Sequence, residues 1–193
     1  MPVTPARIIK LGGSLLDLPE LASRLADWLA DQPARRNVVI VGGGKTVKLL
    51  RRWASLRQWS AEKSHWAAIR VMGINARRLA REAGNWQLVE ELESLPAVAS
   101  TVLIDPLTLL RQWHQLDPTV LPASWDVTSD SIAAQFAQQL NQAELVLLKS
   151  VDGSAEQLDL LHRRGVIDSY FQQAARGLSV RIVNLRRSAA ASD

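Results

Sequence analysis

The stretch VVIVGGGKTVK (residues 38–48) decides the fold class of this chain. Residues 38–41 are apolar at every position, which is typical of a parallel strand buried on both faces of a sheet. The three glycines at residues 42–44 precede a lysine and a threonine, as in a nucleoside triphosphate loop. That loop also needs a leading glycine where this chain has Val39, and the dinucleotide-binding pattern needs one where it has Val47. The glycine turn therefore belongs to neither motif and has another use.

Short apolar runs alternate with amphipathic stretches along the rest of the chain. Predicted strands cover residues 7–11, 38–41, 101–104, 145–148 and 180–183, and predicted helices cover residues 18–30, 47–54, 62–83 and 129–140, with another after residue 106. Polar residues at the start of the 129–140 helix are expected to cap it. The alternation predicts an α/β fold, a three-layer αβα sandwich with a largely parallel central sheet. We expect a single domain over residues 1–187 and a disordered tail over residues 188–193.

Composition and charge limit the classes of function. The chain has 193 residues, of which 47% are hydrophobic and 22% charged, as in ordinary globular proteins. It has no cysteine, its three histidines show no paired metal-ligand spacing, and no run approaches the roughly 20 apolar residues of a membrane span. The net charge is +4, with 18 arginines and 5 lysines, but the arginines form no stripe with aromatic residues. We expect a cytoplasmic protein without a membrane partner, and nucleic-acid binding is a weaker alternative.

Small and polar residues follow several predicted strands. Lys10 stands just before Gly-Gly-Ser at residues 12–14, and three glycines occupy residues 42–44. Thr-Ser-Asp at residues 128–130 opens a helix, and Lys-Ser-Val-Asp-Gly fills residues 149–153. Because the carboxyl ends of parallel strands meet at one edge of a sheet, we expect these segments to lie close together and to bind a ligand.

These segments suit the chemistry of phosphoryl transfer. Two glycine turns that each feed a helix would aim backbone N–H groups and two positive helix ends at one anion. Lys10 would add a compact positive charge, and Asp130 in the first turn of its helix would orient that lysine. Positioning and charge neutralisation dominate catalysis of phosphoryl transfer, so little covalent chemistry is needed.

Seven blocks of sequence resemble a known family. The segments IIKLGGSLL, VVIVGGG and TSDSIAAQFAQQL, followed by LVLLKSVDG, resemble the amino-acid kinase superfamily. The segments SHWAAIRVMGINARRLA, SWDVTSDSIAAQFA and GVIDSYF are similar in particular to its subgroup that phosphorylates (aminomethyl)furanylmethyl phosphate in methanofuran biosynthesis. The resemblance implies an ATP-dependent kinase that uses Mg²⁺, phosphorylates a small anionic metabolite such as a phosphate monoester, and forms a homo-oligomer, for example a dimer.

The resemblance also implies roles for individual residues. Lys10 would bridge the transferring phosphoryl group, and Asp130 would organise the lysines. The implied contacts to the nucleotide phosphates are made by Gly12, Gly13 and Ser14. Those to its base and ribose are made by Lys149, Ser150, Asp152 and Gly153. Those to the acceptor are made by Gly42, Gly43, Gly44, His65 and Ser129.

Three features depart from the family pattern, one of which is a short segment between Gly153 and Val166 where related kinases cover the nucleotide. No lysine follows Lys149, so the second phosphate-binding lysine must be replaced by Lys149 itself or by an arginine such as Arg163 or Arg164. After the triple glycine, Lys45 and Lys48 stand where related kinases carry a small or apolar residue and then an acidic one. Either the acceptor is more anionic than in the relatives, or the original activity is lost. The alternative is therefore a non-catalytic ligand-binding or regulatory protein that keeps the kinase fold.

Overall fold

The computed structural model describes residues 6–96, 99–141 and 144–187. Within these ranges the strands are β1 (Ala6–Leu11), β2 (Arg36–Val41), β3 (Gln87–Val89), β4 (Thr101–Ile104), β5 (Glu144–Lys149) and β6 (Ser179–Asn184). They form one six-stranded sheet in the order β3-β4-β2-β1-β5-β6. Every neighbouring pair is parallel, which confirms the predicted α/β class.

Helices cover both faces of this sheet. They are α1 (Leu21–Ala30), α2 (Gly44–Leu56), α3 (Ala61–Ala83), α4 (Leu107–Leu116), α5 (Ser129–Gln139), α6 (Leu158–Arg163) and α7 (Phe171–Ala174). Buried apolar side chains form two clusters, and successive residues of β1 alternate between them, with Ile8 in one and Ile9 in the other. A core on each face confirms the three-layer sandwich. None of the described helices combines the length and apolar character needed to cross a membrane.

Several elements differ from the sequence-based expectation. β3 was not predicted because it has three residues at the sheet edge and begins with an exposed glutamine, so it shows no apolar run. The helices α6 and α7 were not predicted because they have only six and four residues, too few to show a helical period. The helix predicted over residues 18–30 begins at Leu21, after Glu20 in a left-handed conformation with φ 56°. The single domain over residues 1–187 stays a prediction, and the predicted tail lies outside the described residues.

The strand order places a ligand crevice at the carboxyl end of β1. β1 lies between β2 and β5, so the connections from this part of the sheet leave to opposite sides. Ligands of open α/β sheets bind at such a switch point. Lys10 points to the same face as Ile8, because side chains alternate along a strand, and α5 packs on β1. The topology therefore directs Lys10 towards α5.

Helix α5 is a buried helix that is capped by a distant segment. Every residue from Ser129 to Ala137 is buried. The prediction that its own polar residues cap it is wrong, because the N-cap residue Thr128 makes no side-chain capping bond. Instead the Asp168 carboxylate accepts hydrogen bonds from the Thr128 N–H (3.0 Å) and hydroxyl (2.7 Å), and from the N–H (3.2 Å) and hydroxyl of Ser131. Asp168 thus satisfies N–H groups that a helix start leaves unpaired.

Replacing Asp168 by alanine is expected to lower the free energy of unfolding by about 1–3 kcal/mol, because buried donors lose their acceptor. Urea denaturation measures this loss. A matched control is Asp117→Ala, since Asp117 accepts a similar pair of bonds from the N–H and hydroxyl of Thr119 in an exposed turn. Water can replace the carboxylate there, so equal losses in the two variants would contradict the capping role.

Candidate active site

The two glycine turns predicted to bind phosphate are in backbone contact. A Cβ atom built on Gly13 would lie 2.7 Å from the Cα of Gly44, and one built on Gly42 would lie 2.7 Å from the nitrogen of Gly13. Only residues without a side chain allow this approach. Gly12 is held beside the next strand, where its N–H donates to the Leu148 carbonyl at 2.8 Å. The structure therefore brings both turns to one point of the sheet edge.

A buried cluster of three charged groups lies at this edge. The Lys10 ammonium is 3.0 Å from Oδ1 of Asp130, and the Lys149 ammonium is 2.7 Å from the same oxygen. All three residues are at most 5% exposed. Lys149 also donates a hydrogen bond to the Val166 carbonyl. Two cations share one carboxylate, so the cluster carries a net positive charge, and a buried charge is costly without a partner. This cluster is therefore suited to bind an anion.

Burial and mutual attraction control the protonation of this cluster. Burial lowers the pKa of Lys149 to about 8; Asp130 opposes this effect, while the like charge of Lys10 adds to it. Burial alone would raise the pKa of Asp130, but the charges of Lys10 and Lys149 outweigh burial and hold that pKa below its usual value. Asp130 is therefore ionised at neutral pH, and Lys149 loses its proton at a lower pH than an ordinary lysine.

The stability of the protein is expected to rise with pH because of Lys149. Its pKa is about 8 in the folded protein and 10.5 in an unperturbed lysine, so the unfolded state binds more protons between these values. The free energy of unfolding therefore rises by up to about 3 kcal/mol between pH 8 and pH 10.5 because of this group. Below pH 8 the buried ammonium is charged, so its full destabilising effect is present. Urea denaturation between pH 7 and 10.5 measures the gain. Lys149→Met should lack it, and parallel pH curves for the two proteins would contradict the buried ammonium.

A cavity of about 490 Å³ opens beside the glycine turns. This volume suits a small organic ligand. Its wall includes apolar side chains from α3 and α5, such as Ile69, Met72 and Ile132. Of the site residues predicted from the sequence, those that line the cavity are Gly13, Ser14, Gly43, Gly44, His65 and Ser129. The structure thus brings most of the predicted acceptor residues to one cavity.

His65 is both a packed core residue and part of the cavity wall. Its Nδ1 lies 2.9 Å from the Ser124 carbonyl, and its ring packs edge-on against Trp66. Burial lowers the pKa of His65, and the hydrogen bond to Ser124 only partly opposes this effect. His65 is therefore neutral near pH 7 and adds no positive charge to the cavity.

The four residues predicted to contact the base and ribose of the nucleotide make contacts in different parts of the structure. Ser150 reaches the first glycine turn, where its hydroxyl is 2.8 Å from that of Ser14. Asp152 instead forms an ion pair with Arg187 at 3.0 Å and accepts a hydrogen bond from Asn184. Gly153 packs against Leu161, so a Cβ atom there would lie 2.9 Å from its Cδ2. Lys149 turns inward to Asp130, as described above.

The two arginines considered as substitutes for the missing lysine lie elsewhere. Arg163 ends α6 and Arg164 follows it. Both are exposed, and neither is among the residues that line the cavity. Of the candidates for the second phosphate-binding cation, Lys149 is the one that the structure places beside Lys10. The register of β5 against β1 explains this position. Because Lys10 pairs with Leu147 in the parallel ladder, Lys149 two residues later points to the same face.

Sequence reasoning missed three residues that support the glycine turns. Asp17 pairs with Lys45 at 3.2 Å and with Arg186. Arg186 also donates to the Ser14 carbonyl at 2.8 Å, which ties the end of the sheet to the first turn. Asn75 on α3 donates to the Gly42 carbonyl at 2.8 Å. These contacts join residues far apart in sequence, so no local pattern signals them.

The fold and the site together define a class of protein: an α/β protein with two glycine turns and a buried lysine cluster at the carboxyl ends of its parallel strands. Comparison with known proteins gives the family. The model of the amino acid kinase family matches residues 5–153, which is most of the chain. This chain therefore belongs to the amino acid kinase family, and the resemblance predicted from its sequence blocks is confirmed.

Individual relatives agree with this assignment. The [5-(aminomethyl)furan-3-yl]methyl phosphate kinase of Methanocaldococcus jannaschii is 29% identical over 147 residues, which are 76% of this chain and 66% of that protein. The match thus spans slightly less than two thirds of the curated relative. UMP kinase from Ureaplasma parvum has a TM-score of 0.63 at 13% identity, covering 95% of this chain and 91% of that one. Uridylate kinase from Archaeoglobus fulgidus has a TM-score of 0.62 at 18% identity, covering 91% and 89%. These two structures support the fold.

Proposed function

We propose that this protein is a small-molecule kinase that transfers the γ-phosphoryl group of MgATP to a small phosphate monoester and releases a diphosphate. One observation carries the proposal: Lys10 and Lys149 share Asp130 in a buried, net positive cluster beside two interlocked glycine turns. Membership of the amino acid kinase family supports the reaction class. The name of the relative from Methanocaldococcus jannaschii makes (aminomethyl)furanylmethyl phosphate the reference acceptor for comparison, and the resemblance described above links that compound to methanofuran-type cofactor biosynthesis. A homo-oligomer in the cytoplasm belongs to the same proposal and rests on the family resemblance.

The proposed reaction is an in-line displacement at phosphorus. An oxygen of the acceptor phosphate forms a bond to the γ-phosphorus, the bond from that phosphorus to the β–γ bridging oxygen breaks, and ADP leaves with the electron pair. A phosphate monoester with a second pKa near 6 is already ionised at neutral pH, so the step needs no general base. Lys10 and Lys149 neutralise the developing charge, Asp130 holds both ammonium groups in position, and backbone N–H groups at the glycine turns hold the phosphates.

Within the described ranges, no group of three or more His, Cys, Asp or Glu side chains could hold a metal ion. Mg²⁺ keeps several waters and often binds through substrate phosphates with few protein carboxylates. We therefore treat Mg²⁺ as part of the nucleotide substrate, where it neutralises phosphate charge.

Calorimetric titration with Mg²⁺ and a non-hydrolysable ATP analogue tests this proposal. We expect binding near the micromolar range for the wild type and clearly weaker binding for Lys10→Ala. The matched control is Lys63→Ala, which removes an exposed lysine whose ammonium lies 4.3 Å from the Trp59 ring centroid. ³¹P NMR should then detect a diphosphate product with a phosphate monoester acceptor. If the wild type binds no nucleotide, the kinase proposal fails and the non-catalytic ligand-binding alternative replaces it.

A further inference from the structure

The cavity beside the glycine turns has an excess of positive charge. Cationic side chains from α2, α3 and the chain after β6 line it, together with a single carboxylate among its described lining residues. These are Lys45, Lys48, Arg51, Arg78, Arg186 and Asp17. The charge of a cavity selects its ligands, since like charges that meet in a binding site are strongly unfavourable.

The carboxylate in this cavity is already neutralised. Asp17 contacts both the Lys45 ammonium, at 3.2 Å, and the Arg186 guanidinium. Hydrogen bonds from these two cations are the main reason that the pKa of Asp17 lies below its usual value. A positively charged group on a ligand would have to compete with both cations for this carboxylate.

Two cations of the cavity have no such partner. Within the part of the chain that the structure describes, neither Lys48 nor Arg51 has a carboxylate at ion-pair distance. They follow Gly44, the first residue of α2, by four and seven residues. Because an α-helix rises 1.5 Å per residue, their backbone positions lie about 6 and 10 Å along the helix from the glycine turn. A phosphate held at the turn leaves these two charges free for a second anionic group.

The aromatic group of the cavity is also occupied by a cation. Trp125 lines the cavity, and its ring would otherwise bind an ammonium through its π face. The guanidinium of Arg51 already lies 4.4 Å from that ring centroid. An aminomethyl group, as named for the acceptor of the curated relative, would therefore meet positive charges and no free carboxylate among the described lining residues.

We propose that the acceptor of this protein is a phosphate monoester with an apolar body, no free amine, and a second anionic group about 6–10 Å from the phosphate. This inference rests on the proposed kinase function and refines its acceptor. The apolar body contacts the wall formed by Ile69, Met72 and Ile132. The second anionic group, a carboxylate or a phosphate, binds at Lys48 and Arg51 and takes no part in the transfer, which proceeds as written above.

Four probes that differ in one substituent test this acceptor class: benzyl phosphate and its 3-carboxy, 3-phosphono and 3-aminomethyl derivatives. Their affinities are measured by calorimetry without nucleotide, so that the result does not depend on catalysis. We expect the carboxy or phosphono compound to bind about tenfold more tightly than benzyl phosphate, as two partly exposed ion pairs allow. The better of the two identifies the second group. The aminomethyl compound is expected to bind more weakly than benzyl phosphate.

Variants on α2 identify the charges responsible. The double variant Lys48→Gln/Arg51→Gln should abolish the preference for a second anionic group and leave the affinity for the ATP analogue unchanged. Arg52→Gln is the matched control, because Arg52 is exposed on the same helix and does not line the cavity. Tightest binding of the aminomethyl compound, or an unchanged preference in the double variant, would overturn the inference. One further outcome separates this inference from the kinase proposal. If the wild type binds no nucleotide but still prefers probes with a second anionic group, and the double variant loses that preference, the kinase proposal fails. The binding site for the second anionic group then stands.

Discussion

Replacing Lys10 by methionine is expected to lower kcat for phosphoryl transfer by about 10²- to 10³-fold. One cation about 4 Å from a developing negative charge contributes about 4 kcal/mol at an effective dielectric constant near 20, and each 1.36 kcal/mol corresponds to a factor of ten in rate. The Lys10 ammonium is held by Asp130 at 3.0 Å, so its position is set before the substrate binds. Steady-state kinetics with MgATP and the best acceptor measure this loss.

The Lys10 prediction separates catalysis from folding. Methionine has a similar volume, and replacing one of two buried cations leaves Asp130 paired with Lys149 at 2.7 Å. The unfolding free energy of Lys10→Met should therefore stay close to that of the wild type, since the substitution removes the excess buried positive charge and leaves no charge of the cluster without a partner. Lys63→Met serves as the surface control for both measurements. A variant that retains kcat within a factor of three would remove Lys10 from the proposed mechanism.

Replacing Asp130 by asparagine is expected to lower the free energy of unfolding by about 3–5 kcal/mol. The substitution keeps the shape of the side chain but leaves Lys10 and Lys149 buried without a counter-charge, which is the costly way to break a buried ion pair. Urea denaturation at pH 7 measures this loss. Raising the pH should reduce the difference from the wild type, because lysines without a carboxylate partner lose their protons more readily.

Two comparisons show whether this loss comes from the charge cluster. Asp27→Asn removes an exposed carboxylate on α1 and should change the unfolding free energy by no more than about 0.5 kcal/mol. The double variant Asp130→Asn/Lys149→Met removes one of the stranded cations and should recover part of the loss, as expected for residues that interact directly. Additive effects of the two substitutions would show that Asp130 does not hold Lys149 in place.

The fold and the edge of the site were predictable because they depend on local signals. Apolar runs such as residues 38–41 occur in parallel strands buried on both faces, and the glycines that follow them mark where the strands end. The carboxyl ends of parallel strands meet at one edge, so Lys10, the two glycine turns and the helix with Asp130 in its first turn had to converge.

The remaining parts of the site depend on contacts that local patterns do not contain. The cap of α5 comes from Asp168, which is 37 residues from Ser131 in the chain, whereas the local pattern predicts that the polar residues at the helix start form the cap. The family resemblance implies that Lys149 lies along the nucleotide or replaces the second phosphate-binding lysine, and a motif position alone does not show where its side chain points without the register of β5 on β1. That register directs its side chain to Asp130.

The backbone contact between Gly13 and Gly44 has a consequence for how the two substrates influence each other. The loop expected to hold the nucleotide phosphates and the loop expected to hold the acceptor are separated by no side chain. A displacement of one loop on binding therefore cannot be absorbed by a change of rotamer and must reach the other loop. Binding of the first substrate then alters the affinity for the second, and thermodynamics requires the reverse effect to be of equal size. The same contact that confines both turns to glycine thus makes the protein a candidate for heterotropic cooperativity between nucleotide and acceptor.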